Sequence, residues 1–333
     1  MNPSATNAPF YKHKRIGTLH ALHMSLGIPA CDLLAISRQA DTLYRLAKSI
    51  TKSDGSIRNT YDALTPLKRI HQKIKNQILD HVSFPVYLTG SIKGCDYKTN
   101  ATLHAQAKVV INEDIQGFFP STSADQVFNI WHGFFGFDKS VAQCLTQLTT
   151  RLGELPQGAI TSSFLANLVF WQDEPKLQAN FAAQGLVYSR YVDDIAISSK
   201  SYLTSENKSD IVRHVYGMLL KHGYHAKRIK HDITTSAERM AVTKLAINTK
   251  PGLHRDDRSK IRAIVQALER RAELGETLLF DKGPYAQAMG KVRHLQRFHP
   301  GDAAPLLERL FALKEQSTIT VDNPVQSPSS LPQ

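Results

Sequence analysis

The sequence predicts an α+β fold in which short strands and amphipathic helices are mixed along the chain. Residues 107–115, AKVVINEDI, form a short β-branched run typical of a buried strand. Residues 188–199, YSRYVDDIAISS, contain two apolar, β-leaning runs with a turn between them. Residues after about 250 carry three stretches with helical periodicity. Together these patterns favour a sheet-containing body followed by a helical region.

The remaining elements are predicted in chain order. Residues 16–46 form two or three short helices, broken at 27–29, and residues 50–61 form a hairpin with Asp54-Gly55 at its turn. Pro66 lies near the start of the next helix. Further helices are expected over 100–107, 126–137, 140–150 and 210–224, and a small strand pair over 238–248. Residues 155–177 are expected to begin with a Pro/Gly turn and to run into a single helix. Three last helices are expected over 258–274, 283–298 and 302–316.

Charge is the informative part of the composition. The chain has 333 residues, with 41 Lys and Arg against 29 Asp and Glu, for a net charge of +12. Residues 221–272 alone contain 13 Lys and Arg against 5 Asp and Glu. This balance indicates a polyanionic partner, with nucleic acid first and an anionic membrane surface second.

Several classes of protein are disfavoured. The three cysteines, Cys31, Cys95 and Cys144, are scattered without a CxxC pair, so neither a disulfide framework nor a structural zinc site is expected. No apolar run approaches the roughly 18 residues of a membrane span, and no signal-peptide core follows the N-terminus. We therefore expect a cytoplasmic protein without a membrane partner.

Asp193 and Asp194 lie side by side in the turn of the YSRYVDDIAISS hairpin. One interpretation is a solvated turn, because aspartate is favoured there. The other is a divalent cation site, because hard cations prefer clustered carboxylate oxygens. Asp114 ends the predicted strand 107–115. If strand and hairpin are neighbours in one sheet, three carboxylates meet and repel, and two cations would relieve that repulsion and support in-line phosphoryl transfer.

Three segments resemble the sequence blocks of reverse transcriptases. Tyr191-Val192-Asp193-Asp194 resembles the YxDD box, DIQGFFPS (114–121) resembles the first catalytic block, and LPQGAITSSFLAN (155–167) resembles the LPQG block. They occur in the family's order. The resemblance implies a right-hand polymerase fold with fingers, a palm of antiparallel sheet plus helices, and a helical thumb.

The resemblance also implies roles for individual residues. Asp114, Asp193 and Asp194 would be catalytic and, with the Ile115 carbonyl, would hold two Mg²⁺ ions, with Mn²⁺ as an alternative. Phe119 would be a steric gate against a ribose 2′-hydroxyl, while the adjacent Phe118 is expected in the core. The other nucleotide-binding residues would be Lys52, Arg58, Gln157 and Lys230. For Lys52 and Arg58 the alternative is an exposed charged hairpin.

Further blocks resemble the retron type of reverse transcriptase. NATLH (100–104) is similar to the retron NAxxH element, and AVTKLAIN (241–248) to the VTG-containing block, with Lys244 where glycine is expected. A lysine there is expected to give up the positive φ that glycine allows and to offer a phosphate contact. Residues 290–310 also resemble the retron C-terminal region. The RNA-binding residues implied are Asn100, His104, Val242, Thr243 and Lys244. For Asn100 and His104 the alternative is a local side-chain hydrogen bond that fixes a helix against the palm, and both interpretations can hold together.

The resemblance implies the following organisation and activity. Residues 1–15 would be flexible, 16–106 fingers with part of the palm, 107–249 palm, 250–316 thumb and 317–333 a disordered tail. The enzyme would use dNTPs to copy a cognate noncoding RNA into a branched RNA–DNA hybrid, msDNA, in an anti-phage system with an effector or toxin protein. The alternatives are another bacterial defence or group II intron-derived reverse transcriptase, or a catalytically silent RNA-binding scaffold.

Overall fold

The computed structural model describes residues 7–52, 55–276 and 278–321, with side chains up to residue 315. The chain divides between Thr243 and Lys244 into two compact units. The first unit mixes helices and strands, which confirms the α+β prediction, and the second is mainly helical. The finer division of the first unit into fingers and palm stays a prediction.

The helices of the first unit are α1 Leu19–Leu26, α2 Ala30–Arg38, α3 Thr65–Gln77, α4 Tyr97–Leu103, α5 Ala124–Asn129, α6 Lys139–Thr149, α7 Ser162–Leu168, α8 Glu174–Ala183 and α9 Ser205–Lys221. Those of the second unit are α10 Arg255–Glu273, α11 Gly283–Gln296 and α12 Pro300–Val321. Short 3₁₀ turns span Ala40–Leu43, Leu79–His81 and Arg228–Lys230, and a π turn spans Ile130–Phe134. The strands are β1 Phe10–Tyr11, β2 Tyr44–Thr51, β3 Ile57–Ala63, β4 Val82–Ser83, β5 Val109–Asp114, β6 Leu186–Tyr191, β7 Asp194–Ser199, β8 Asp232–Thr235, β9 Ala241–Val242 and β10 Leu245–Ala246.

A four-stranded antiparallel sheet of order β6-β7-β5-β8 forms the centre of the first unit. The predicted buried strand is β5, with neighbours on both sides. Its Ile111 pairs with Ile197 on β7 and with Ile233 on β8. Because β5 is interior, its β-branched residues are buried. Its carboxyl end is fixed by the register with β7, since the pairing with β8 covers only Val109–Asn112. The short polar strand β8 was not predicted.

The hairpin predicted over 50–61 is longer, with β2 and β3 paired from Tyr44–Ala63 to Thr51–Ile57. Leu46, predicted to be helical, belongs to β2 and is 56% exposed. The prediction was wrong because it relied on the helical spacing of Leu46 from Leu43. The strand pairing with β3, which begins at Tyr44, is a tertiary contact that this spacing does not reveal. Of the predicted turn pair, Asp54 lies outside the described residues, while Gly55 has a φ of 77°.

Two boundaries follow from local chemistry. Gly27, in the left-handed conformation, ends α1, and its N–H donates to the His23 carbonyl, so the predicted break at 27–29 is present. The single helix predicted over 155–177 is instead two helices, α7 and α8. Pro175 lies in the first turn of α8, where its missing N–H costs nothing, and this is why a new helix starts there.

The N-terminal segment predicted to be flexible contains a short strand. Phe10 pairs with Ser83 and Tyr11 pairs with Val82. Residues 1–6 of that segment lie outside the described residues.

In the second unit, α10, α11 and α12 pack against one another through buried apolar residues that include Val265, Ala288 and Leu310. Arg309 on α12 binds Glu269 on α10 through two N–H groups. Helix α12 continues to Val321, past the predicted start of the tail at 317. Residues 322–333 lie outside the described residues.

Within the described ranges, no single helix is long and apolar enough to cross a membrane. Helices α1 and α2 meet the length and composition test only as a pair, bent by 99° at their junction.

Candidate active site

The sheet register brings Asp114 and Asp194 opposite each other at one end of β5 and β7. The Ile115 N–H donates to the Asp193 carbonyl at 2.9 Å, so the third aspartate is tied to the same end. Asp114 is only 5% exposed. The predicted convergence of the three aspartates is therefore present, and it results from the antiparallel pairing of one strand with one hairpin.

The hairpin turn between β6 and β7 has an unusual backbone. Its two residues are Val192 and Asp193, and Val192 has a φ of 61°. A positive φ at the first of two turn residues is typical of a type II′ turn, where glycine is usual. For a β-branched residue this conformation is strained, and such strain is typically found at functional sites. Gly90 packs directly against this turn.

The pKa values of Asp193 and Asp194 are raised, as expected for carboxyl groups that lie close together and are partly shielded from water. Asp194 lies at the surface, yet the surrounding protein atoms reduce its hydration. This loss of hydration, with the charges of Asp193 and Asp114 and a hydrogen bond with Asp114, raises the pKa of Asp194 to about 6. Burial and the charge of Asp114 also raise the pKa of Asp193, while Lys230 and Arg58 oppose that shift.

Lys230 supplies the positive charge nearest to these acids. Its ammonium group forms an ion pair with Asp114. Partial burial lowers the pKa of Lys230, but the hydrogen bond to Asp114 and the acidic charges outweigh that effect and raise it overall. The Lys227 N–H donates to the Asp114 carbonyl at 2.7 Å, and His231 binds Glu113 at 2.6 Å. This segment is thus fastened to β5 on both sides of the ion pair.

The aspartates fit a divalent cation by their chemistry. Among the described residues, no group of three or more His, Cys, Asp or Glu side chains is already arranged around a metal position. Burial first, and then the charges of the neighbouring aspartates, raise the pKa values of Asp193 and Asp194, so a cation would stabilise these carboxylates in their ionised form. Hard oxygen donors with uncompensated charge are what Mg²⁺ requires, and the Lys230 ammonium group compensates part of that charge.

A cleft of about 730 Å³ opens beside the aspartates. Its lining includes all five predicted nucleotide-binding residues, three of the four metal-site candidates and three residues not predicted: Lys52, Arg58, Phe119, Gln157 and Lys230; Asp114, Ile115 and Asp193; Tyr61, Arg151 and Lys227. Phe119 is half-buried at the cleft, whereas Phe118 is buried, as expected for a core aromatic. A basic cleft that ends at Asp114 and Asp193, with Asp194 next in the chain, is suited to phosphoryl transfer on a polyanionic substrate.

The LPQG segment is docked on the hairpin β2–β3. The Tyr61 N–H donates to the Gln157 carbonyl at 2.8 Å. Gly158 has a φ of 108°, and a Cβ there would lie 2.8 Å from the Tyr61 carbonyl oxygen. Glycine is therefore required for this close approach, which places Gln157 and the hairpin cations in one cleft.

Of the two interpretations of NATLH, the structure agrees with the local hydrogen bonds and not with a direct RNA contact by these side chains. Asn100 and His104 are each 1% exposed, so their side chains cannot touch an RNA in this conformation. The Thr89 hydroxyl donates to Asn100 at 2.8 Å, and the two ring nitrogens of His104 each lie 2.7 Å from a serine hydroxyl, Ser198 and Ser189. These side chains fasten α4 to the sheet. An RNA contact would have to come from exposed residues around them.

The structure also corrects one expectation for the VTK segment. Thr243 and Lys244 have φ values of 46° and 68°, so lysine keeps the left-handed backbone that glycine would favour. Val242 is buried, and the Thr243 hydroxyl donates to the Tyr97 carbonyl at 2.8 Å. Only Lys244 of the three is exposed. It is therefore the member of this segment whose side chain can bind RNA.

Three residues near the site were missed in the sequence. Arg190 is a charge at an inward position of β6, and that position in an otherwise apolar strand was the available signal. Arg151 stacks on the Tyr61 ring at 4.2 Å and lines the cleft. Gly90, which packs against the Val192–Asp193 turn, gave no signal in the sequence, because its contacts are with residues distant in sequence.

Comparison with known proteins agrees with this site. The family model for reverse transcriptase (RNA-dependent DNA polymerase) matches residues 50–262. The chain is 33% identical over 263 residues to the retron Se72 reverse transcriptase of Salmonella heidelberg (strain 579083-10). The aligned region covers 78% of this chain and 69% of that protein. It is 30% identical over 310 residues to the retron Ec48 reverse transcriptase of Escherichia coli, with 88% and 74% covered.

A third relative is the retron Ec86 reverse transcriptase of Escherichia coli, 28% identical over 250 residues, with 74% of this chain and 77% of that protein covered. Among solved structures, apo telomerase from Candida tropicalis, truncated from its C-terminal domain, matches 66% of this chain and 58% of that chain, at 12% identity and a TM-score of 0.42. That similarity is too low to support an argument. On the family model and the relatives, this chain belongs to the reverse transcriptase family, as a retron-type RNA-directed DNA polymerase.

Proposed function

We propose that this reverse transcriptase copies a cognate structured noncoding RNA into DNA and yields a branched RNA–DNA hybrid, msDNA. The observation that carries the proposal is the meeting of Asp114, Asp193 and Asp194 at one end of the sheet, beside the basic cleft. Membership of the retron type supports the choice of a structured RNA template.

In this proposal, Asp114, Asp193 and Asp194, with the Ile115 carbonyl, hold two Mg²⁺ ions, and Mn²⁺ is an alternative. When bound, the ions supply activation of the attacking hydroxyl and charge neutralisation at the leaving pyrophosphate. The carboxylates orient the reacting groups. The strained turn at Val192 fixes the direction of Asp193.

The cleft residues bind the nucleotide. Lys52 and Arg58, beside the turn of the hairpin, contact the triphosphate, for which a guanidinium group is well suited. Gln157 contacts the sugar and base, and Phe119 excludes a 2′-hydroxyl. Lys230, already paired with Asp114, moves to the leaving pyrophosphate and donates a proton to it.

We assign residues 16–106 to fingers, 107–249 to the palm and 250–316 to a thumb that follows the hybrid backbone through phosphate contacts. Lys244 contributes a phosphate contact to the RNA. The enzyme acts in the cytoplasm with an effector or toxin protein in defence against phage, as the retron relationship suggests.

The proposed chemistry is tested by primer extension with Mg²⁺ and dNTPs. We expect Asp193→Asn and Asp194→Asn each to abolish incorporation while RNA affinity stays within about twofold, because the substitutions remove ligand charge without changing volume. Asp210→Asn, in an exposed pair with Arg213 on α9, is the matched control and should retain full activity. Near wild-type rates for both site variants would refute the assignment.

The template is tested separately. RNA that copurifies with the protein is sequenced, and one dominant structured species with a branched DNA product is expected. A broad mixture of RNAs would instead favour a defence-associated or group II intron-derived reverse transcriptase without a cognate RNA.

A further inference from the structure

The guanidinium group of Arg190 lies in the core of the first unit and is 0% exposed. Its Nε and Nη2 groups donate to the two carboxylate oxygens of Glu174 at 2.6 and 2.8 Å. Glu174 is also buried, and it accepts a third hydrogen bond from the Tyr188 hydroxyl at 2.7 Å. The ion pair is therefore bidentate and removed from water.

The other N–H groups of Arg190 bind backbone carbonyls. Nη1 donates to the Val192 carbonyl at 3.0 Å and to that of Ala166 at 3.4 Å, and Nη2 donates to that of Asn167 at 3.0 Å. A guanidinium group has five N–H donors, and here all five have an acceptor. One of these acceptors belongs to the catalytic turn, and two belong to α7, the helix that follows LPQG.

Aromatic rings enclose the same group. The Phe118 and Phe170 ring centroids lie 5.8 and 5.3 Å from the guanidinium carbon. Phe118 immediately precedes Phe119, the candidate sugar gate. Arg190 thus touches each of the three sequence blocks, DIQGFFPS, LPQG with its helix, and YVDD.

Stability alone does not account for this arrangement. A buried ion pair typically adds little net stability compared with apolar residues of similar volume, and its best-supported benefit is a defined conformation. The Val192 carbonyl that Arg190 binds belongs to the residue with a φ of 61°. A hydrogen bond at that carbonyl favours the strained turn over relaxed alternatives, in which Asp193 would point elsewhere.

We infer that Arg190, oriented by Glu174, is a positioning residue that holds the Val192–Asp193 turn in its catalytic conformation and in register with the LPQG helix. The inference rests on the proposed function, because it acts through Asp193. Arg190 itself, fully buried, does not contact substrate.

The test is Arg190→Lys, which keeps the positive charge but loses the planar guanidinium group whose N–H groups donate to Glu174 and to Val192 at the same time. We expect turnover at saturating dNTP to fall roughly 10- to 100-fold, and the Mg²⁺ concentration for half-maximal rate to rise, as for residues that orient metal ligands. Mn²⁺ binding to the protein–primer–template complex, followed by electron paramagnetic resonance, should weaken in parallel. The matched control is Arg309→Lys, at the bidentate pair with Glu269 in the second unit, which should leave Mn²⁺ binding unchanged.

A rescue experiment separates positioning from packing. Val192→Gly accepts a positive φ without strain, so Val192→Gly in the Arg190→Lys background should recover part of the lost Mn²⁺ affinity. If the double variant binds Mn²⁺ no more tightly than Arg190→Lys alone, the inference is overturned. If Arg190→Lys does not fold, Glu174→Gln takes its place, and unchanged Mn²⁺ binding in that variant also overturns it. Activity of Asp193→Asn reports on the proposed function independently, because an active Asp193→Asn would refute that function whatever Arg190→Lys does.

Discussion

Gly90 and Val192 are in such close contact that a Cβ added to Gly90 would lie 2.5 Å from the Val192 backbone nitrogen. The same Cβ would lie 2.6 Å from a methyl group of Val192. The Gly90 carbonyl is held by the Asn167 amide at 2.7 Å, so the loop cannot easily retreat. The Val192–Asp193 turn is thus in contact both with Gly90 and with the Arg190 guanidinium group.

We therefore expect Gly90→Ala to displace the turn and to lower the rate of single-nucleotide incorporation by about 100-fold, the typical cost of moving a reacting group by about 1 Å. Gly217→Ala is the control. Gly217 is in α9 with open space around it, so alanine should be neutral or stabilising there. Equal rates for Gly90→Ala and the wild type would show that the turn adapts to the added methyl group.

Phe119 is predicted to select deoxyribonucleotides. Phe119→Val should lower the preference for dNTPs over NTPs by roughly 10- to 100-fold, because steric discrimination of this kind is worth about 1–3 kcal/mol. The measurement is the ratio of incorporation efficiencies in primer extension. Phe118→Leu is the comparison, and because Phe118 is buried, it should lower thermal stability with little change in that ratio. Unchanged selectivity in Phe119→Val would assign Phe119 to packing alone.

Lys244 combines a strained backbone with an exposed charge, and two substitutions separate them. Lys244→Gly relieves the φ of 68° and should raise the free energy of unfolding by about 1 kcal/mol relative to Lys244→Ala, which keeps the strain. Both variants lose the ammonium group. In each, the slope of the logarithm of RNA affinity against the logarithm of salt concentration should therefore decrease in magnitude by about one unit. Identical salt slopes for wild type and both variants would exclude a phosphate contact by Lys244.

His104 should act on stability rather than on RNA binding. Burial lowers its pKa to about 4, against about 6.5 when unfolded. Between pH 6.5 and pH 4, His104 is therefore protonated in the unfolded chain but neutral in the folded chain. The free energy of unfolding is unaffected by the protonation of His104 above pH 6.5 and decreases as the pH falls to 4, by about 3 kcal/mol at most.

His104→Gln should be less stable than the wild type by about 1 kcal/mol at pH 7.5, since one hydrogen bond to Ser189 or Ser198 is lost. That difference in stability should narrow as the pH falls, pass through zero and reverse before pH 4, because the wild type loses up to about 3 kcal/mol that the variant keeps. RNA affinity at pH 7.5 should not change. Urea unfolding at several pH values provides the measurement. A tenfold loss of RNA affinity with unchanged stability would restore the RNA-contact interpretation.

The sequence was sufficient where chemistry is local. The β-branched run ending at Asp114 and the turn at Asp193 are local patterns, and antiparallel pairing brings them together. The positions of Asn100 and His104 were not predictable in this way, because helical spacing places two side chains on one face without showing whether that face meets water or the sheet. Arg190 was missed for a similar reason, since its partners lie on α7, α8 and the turn.

The length of α7 shows a further limit. Residues 165–170 are apolar except for Asn167, so their pattern predicts that one helix continues, but α7 ends at Leu168 and a second helix, α8, begins at Glu174. Strand β8 is four residues long and mostly polar, and its strand character comes from the exposed edge of β5 that it covers. Tertiary pairing decides such elements, and single-sequence patterns do not contain it.

The strand order of the central sheet bears on how the protein is made. Strand β5 is synthesised first, but both of its neighbours, β7 and β8, come later in the chain. At a translation rate of about 5–20 residues per second, β5 waits on the order of 4 to 17 seconds before β7 emerges. During that interval an apolar, β-branched segment has both edges unpaired on the nascent chain. Newly made protein is therefore most open to misassociation before residue 199 has left the ribosome, and slower synthesis between residues 115 and 194 should lower the yield of native enzyme.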